Sequence, residues 1–189
     1  DDLSQHLHVL ADIRDDHPAS LVAPQLDRRY VPNEAIDSEL DRRLQAVLCL
    51  EICGIGGIGK SLAAAAFLRR NQAKFHYSFW VSGRDIKSIE HLSSVPVRRG
   101  GAERNVTAFL KRDSTLLVID DAAASLDVER LSELCGPGSR IVVTRQNASM
   151  TAFAMPTMDV EQARSLLGRD VTAPLAEEEF QKIWGAVGG

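Results

Sequence analysis

The run Gly54-Ile55-Gly56-Gly57-Ile58-Gly59-Lys60-Ser61 constrains this chain more than any other segment. It satisfies the pattern G-x-x-x-x-G-K-[ST] at every fixed position and lies between an apolar stretch and an alanine-rich one. Holding several phosphates requires many backbone donors at close range with no side chains in the way. Glycine adopts backbone angles that other residues avoid, so its N–H groups can turn inward around an anion. Gly54, Gly56, Gly57, Ile58, Gly59 and Leu62 are therefore candidate phosphate contacts. The segment Ser61-Leu62-Ala63-Ala64-Ala65-Ala66-Phe67-Leu68 is a strong helix former, and its positive N-terminal end would face the same phosphates. In this pattern Lys60 reaches the β- and γ-phosphates of a triphosphate, and the Ser61 hydroxyl holds Mg2+.

The 189 residues, 44% of them hydrophobic, are enough to bury a sizeable core, and they suggest one α/β domain with a partial appendage. The chain opens on Asp1 and closes on Val187-Gly188-Gly189 inside a helical pattern, so it is expected to be a fragment. A net charge of −4 provides no basic field for nucleic acid. The pairs Arg42/Arg43, Arg69/Arg70 and Arg98/Arg99 read as solvated charges. Cys49, Cys53 and Cys135 form neither an even disulfide framework nor a zinc spacing, which suits buried thiols in a reducing cytoplasm. No apolar run approaches the ~18 residues of a membrane span, and no signal peptide opens the chain. Neither nucleic-acid nor membrane binding is expected of this segment, and the expected location is cytoplasmic.

Leu3, Leu7 and Leu10 recur at helical spacing, followed by a linker broken by Pro18, Pro24 and Pro32. A helix is expected over 34–45, with Ile36, Leu40 and Leu44 on one face, and a strand over 47–53 enters the glycine loop. Further strands are expected at 78–81, 115–120 and 140–144, separated by helical patterns that include 105–112 and 128–134. Near-continuous apolar strands alternating with helices predict a parallel sheet covered on both faces. The four consecutive alanines after Leu62 would let the first helix approach that sheet closely. From Val160 onward, amphipathic helices suggest a second, unfinished unit. The expected division is an N-terminal helix and linker over 1–27, a nucleotide-binding α/β domain over 28–155 and the start of a helical subdomain over 156–189.

The apolar run from Leu116 to Ile119 delivers Asp120 and Asp121 to the carboxyl end of a strand, where open α/β sheets bind ligands. A carboxylate there can hold the water shell of Mg2+, and Asp120 is the candidate. Asp121 would then polarise or order the attacking water, since phosphoryl transfer depends on in-line positioning. Trp80 reads as a core aromatic, and Met150, Met155 and Met158 read as gap fillers near the junction. The five histidines lack ligand spacing.

Together these motifs resemble the NB-ARC domain of the STAND group of AAA+-related signalling ATPases. The resemblance is carried by Phe75-His76-Tyr77-Ser78-Phe79-Trp80-Val81, by Leu116 to Asp121 and by Gly136-Pro137-Gly138-Ser139-Arg140-Ile141-Val142-Val143-Thr144-Arg145. It spans about residues 28 to 189. Arg29-Tyr30-Val31-Pro32-Asn33-Glu34 is similar to the family's adenine-side motif, which implies that the backbone near Val31 contacts adenine. Met155 to Leu167 is similar to the approach to the helical ARC1 subdomain, and Gly188-Gly189 falls where the Gly-Leu-Pro-Leu motif would begin. In three places the chain departs from the family. Pro32-Asn33 replaces Gly-Arg, the family's Thr-Thr-Arg is shortened to Thr144-Arg145-Gln146, and the proline that packs on the nucleotide lies beyond residue 189.

The resemblance implies a slow ATPase that rests with ADP and switches on with ATP. Activation would drive self-association through missing domains, alongside effector and sensor domains outside this segment, in signalling, innate immunity or cell death. Arg145 is expected to reach the terminal phosphate through a loop one residue tighter than the family's, whereas the family register would put Gln146 there. A small P-loop phosphotransferase is the alternative enzyme reading, but it needs a substrate pocket and usually a lid, and no lid sequence is evident. A STAND-type transcriptional regulator would share the motifs. Partitioning and motor ATPases often carry lysine where this chain has Ile55, and remodelling AAA+ proteins usually carry Asp-Glu rather than Asp120-Asp121.

Overall fold

A computed structural model describes residues 23–26, 30–84, 86–99, 102–147, 150–168 and 176–186. The expected N-terminal helix lies outside them. Five apolar segments form one sheet: β1 (Cys49–Cys53), β2 (Tyr77–Ser82), β5 (Thr115–Asp120), β6 (Arg140–Arg145) and the short β7 (Phe153–Ala154). Their order is β2-β5-β6-β1-β7, and every pairing is parallel. All the carboxyl ends therefore share one edge. Inner strands of such a sheet are covered on both faces, and β5 and β6 accordingly bury nearly every residue.

Side-chain alternation sorts the core into two layers. On one face Leu50, Ile52, Leu116, Val118 and Val142 meet Ala64, Ala65 and Phe67 of α2 (Lys60–Asn71) and Ile36, Leu40 and Leu44 of α1 (Glu34–Ala46). Trp80 is in this layer, a core residue as expected. On the other face Leu117, Ile119, Ile141 and Val143 meet Phe109 and Leu110 of α4 (Val106–Arg112) and Leu131 of α5 (Val128–Ser132). Phe109 meets the rings of Tyr77 and Phe79 edge-on, at 4.9 and 5.5 Å.

Caps decide several boundaries. The Asn33 side chain accepts from Ile36 N at 3.1 Å and starts α1, which gives a structural reason for asparagine at this position. At the other end Val47 donates its N–H to Arg43 O, so it closes α1, and β1 begins two residues later than expected. Asn105 caps α4 by accepting from Ala108 N at 2.8 Å and so stands before the helix rather than in it. Asp127 does the same for α5, which ends at Ser132. Helix α2 runs beyond Leu68 to Asn71, where Asn71 Nδ2 bonds Asp41 Oδ1 at 3.0 Å and Arg70 pairs with Asp37 at 2.8 Å, tying α2 to α1.

Between β2 and β5 the chain forms α3 (Ile89–Ser93) and an antiparallel hairpin of β3 (Pro96–Arg99) and β4 (Ala102–Asn105), neither expected from the sequence. Beyond β7 come α6 (Val160–Gly168) and α7 (Glu177–Ala186), joined by the Arg164–Glu177 ion pair at 2.8 Å and by Arg164 over the buried Phe180 ring at 4.1 Å. Only Met155 of the three methionines packs on a core layer; Met150 and Met158 are exposed, contrary to their expected role as gap fillers. All three cysteines are free thiols. Among the described residues no helix is long and apolar enough to cross a membrane.

Candidate functional site

Strand β1 ends at Cys53, and the glycine loop joins it to α2. Gly54, Gly57 and Gly59 have φ of 151°, 81° and 99°, in the region where L side chains are strained, so the loop needs glycine for its path. Gly56 has an ordinary φ, and a Cβ built there meets nothing within 4 Å. Packing within the chain therefore does not account for that glycine.

Lys60 is the first residue of α2 and only 8% exposed. Its ammonium donates to Gly54 O at 2.9 Å and to Ile55 O at 2.8 Å. The loop thus curls around its own lysine, giving a buried cation the acceptors it requires. Ser61 and Leu62 follow, exposed in the first turn of α2, where the helix N–H groups lack intrahelical acceptors. Val31 is half-buried in the extended segment two residues before Asn33.

On the same sheet edge, one strand removed from β1, β5 presents Asp120. Asp120 Oδ1 accepts from the Thr144 hydroxyl at 2.6 Å, and that hydroxyl accepts from Asp121 N at 2.9 Å. Thr144 O takes Ala122 N at 2.8 Å, and Asp120 O takes Gly83 N at 2.5 Å. The ends of β2, β5 and β6 are thereby stitched together. Gly83 is forced here: a Cβ would lie 2.5 Å from Ala122 Cα. By alternation Asp120 shares the face of Leu116 and Val118, the one that carries α2.

Asp121 is the only described non-glycine residue at positive φ, 56°, a conformation asparagine and aspartate tolerate better than others. Its Oδ2 pairs with Arg84 Nε at 2.6 Å. The two line a cleft of about 350 Å3 with Ala122, Arg145, Gln146 and Asn147. The two neighbouring carboxylates therefore have different surroundings, one tied to a buried hydroxyl and the other to an exposed guanidinium.

The end of β6 differs from the expected one. Strand β6 runs one residue further than expected, so Arg145 keeps the alternation of Ile141 and Val143 and falls on the face opposite α2. Its Nε donates to Glu51 Oε1 at 2.5 Å and its Nη1 to Leu126 O at 3.3 Å. The side chains of Arg145 and Glu51 are only 11% and 3% exposed. A buried carboxylate without a cation is costly, and Arg145 compensates it. Its guanidinium is therefore engaged within the fold, and Gln146 is the first, exposed residue past the strand.

Sequence reasoning passed over Glu51, Arg84 and the hydroxyl of Thr144. A signal existed for Glu51: one acid inside Cys49-Leu50-Glu51-Ile52-Cys53 requires a buried partner. Burial also pushes the Cys49 and Cys135 thiols upward, Cys135 to about 11, which makes both poor nucleophiles.

The crystal structure of Cdc6p from Pyrobaculum aerophilum is similar to this fold, with a TM-score of 0.50 and 16% identity. The similarity covers 77% of this chain and 50% of that one, so the chain spans about half that protein's length. At that identity the similarity is one of fold, an α/β architecture with a parallel sheet flanked by helices. No family model matches the chain, and no curated protein does. The NB-ARC resemblance therefore rests on the motifs quoted above.

Proposed function

We propose that this chain is an adenine-nucleotide-binding regulatory switch domain, resting with ADP and activated by ATP with Mg2+, of the NB-ARC/STAND type. The observation that carries the nucleotide part is the bare glycine loop curled around Lys60 at the sheet edge that also presents Asp120. The fold shared with Cdc6p supports the broader reading, a P-loop NTPase domain. The switch part rests on the motif resemblance, as do residues 28–155 as the nucleotide-binding unit, 156–189 as the start of an ARC1-like subdomain, adenine near Val31, cytoplasmic location and self-association through domains outside this segment.

In this reading the N–H groups of Gly56 to Leu62 and the Lys60 ammonium bind the phosphates. The phosphate oxygens would replace the Gly54 and Ile55 carbonyls as acceptors for Lys60, because an ammonium binds a charged oxygen more strongly than a neutral carbonyl. Ser61 Oγ and Asp120 form an all-oxygen donor set, which fits Mg2+. When bound, that ion would supply charge neutralisation to the phosphates. Asp121 would order the attacking water only after its carboxylate leaves Arg84, and that ion pair supports the reading of slow turnover. Neither Arg145 nor Gln146 is assigned a phosphate contact.

Phosphate release under single- and multiple-turnover conditions tests this directly. A switch binds ATP with Mg2+ stoichiometrically and releases phosphate far more slowly than about 1 s⁻¹, the low end of ordinary enzymes. Rapid multiple turnover, or transfer to a small acceptor, would instead establish a phosphotransferase.

A further inference from the structure

We propose that Thr144 is a positioning residue for the carboxylate of Asp120, so that the Mg2+ dependence of nucleotide binding is set from the neighbouring strand. This rests on the nucleotide-site reading given above. Thr144 is completely buried, and its proton assignments follow from chemistry alone. A backbone N–H can only donate, so the hydroxyl must accept from Asp121 N and turn its single proton to Asp120 Oδ1, which as a carboxylate oxygen can only accept. The 2.6 Å separation is that of a charge-assisted O–H···O⁻ bond.

The consequence is an asymmetric carboxylate. Oδ1 is held by the hydroxyl, while among the described residues no donor reaches Oδ2, and Asp120 is itself half-buried rather than enclosed. The free oxygen is the one left to accept from water bound to a cation. Threonine is branched at Cβ and stiff at χ1, so the hydroxyl is held in one direction. Its backbone is equally fixed: Thr144 pairs with Ile52, two residues before Gly54, and its carbonyl accepts from Ala122 N. The same residue therefore stands beside the strand that feeds the loop and carries the bond that orients Asp120.

A strand-end stitch with no bearing on the ligand would show the same hydrogen bonds, so the test must separate stability from Mg2+ dependence. Thr144→Val keeps the shape and removes the hydroxyl, and Thr144→Ser restores it. ATP affinity is measured across a Mg2+ titration and again in chelator, with the thermal midpoint of each variant. Thr144→Val is expected to raise the Mg2+ needed for half-maximal tightening about tenfold, the scale of one hydrogen bond to a charged group. Affinity in chelator should stay unchanged, and Thr144→Ser should remain within about twofold of the original chain on the same scale. Should Thr144→Val fail to fold, Thr144→Cys, with a weak donor of similar size, gives the same reading. A lower midpoint with an unaltered Mg2+ titration would overturn the proposal, as would ATP binding by the unmutated chain that ignores Mg2+. A chain that binds no nucleotide at all would overturn the site reading itself, and this role of Thr144 with it.

Discussion

Arg145→Ala separates a structural strut from a phosphate sensor. Removing the guanidinium breaks the buried pair that Arg145 makes with Glu51, 3% exposed in the strand that feeds the glycine loop. Breaking a buried pair from one side costs about 3–5 kcal/mol, against a total stability of about 5–15 kcal/mol for a typical domain. For a chain of this length each kcal/mol moves the thermal midpoint by about 2–4 °C, so the expected fall is about 6–20 °C. Urea denaturation and calorimetry read the loss directly. A double variant, Glu51→Leu with Arg145→Met, should recover most of it, because a well-packed apolar pair often matches a buried ion pair. A loss under about 1 kcal/mol on Arg145→Ala, the range of an exposed pair, combined with a fall in ATP preference over ADP, would refute the strut and reinstate the sensor.

Two further outcomes follow from the same geometry. Gly83→Ala places a methyl group 2.5 Å from Ala122 Cα, so backbone must move; destabilisation of about 1–3 kcal/mol is expected in urea melts, and a neutral result would show that the β2–β5 stitch is loose. Cys135, its thiol pushed up to about 11 by burial, gains thiolate character only as pH rises toward that value, so at pH 8 a thiol reagent should modify it far more slowly than free cysteine. Modification at the free-cysteine rate would contradict the burial seen here.

The parts of the fold legible in the sequence are those where one physical signal dominates. The run from Leu116 to Ile119 is apolar throughout and is followed by a charge, and the bounds of β5, Thr115–Asp120, agree with the expectation at both ends. The glycine loop fixed its own neighbours, since such a loop works only between a strand and a helix. The β3–β4 hairpin escaped notice because Pro96-Val97-Arg98-Arg99 has one apolar residue besides proline and no alternation to read. β7 is two residues long and owes its existence to pairing with β1, where Ile52 meets Phe153, a contact 101 residues distant in sequence. At the site, Asp120 was legible from its place at a strand end. The direction of Arg145 was not, because it depends on whether β6 ends at Thr144 or continues one residue. Glu51, on the neighbouring strand, offers the partner that favours continuation.

The central claim is that the loop around Lys60 binds nucleotide phosphates, and the most direct measurement is ligand-induced stabilisation of the original chain and of Lys60→Ala, each with ATP or ADP and Mg2+. At about a hundred times its dissociation constant, nucleotide stabilises a native state by ~2.7 kcal/mol. The account predicts a midpoint rise of about 5–11 °C in the original chain, and none in Lys60→Ala at the same concentration. No rise in either chain, or an equal rise in both, would contradict it.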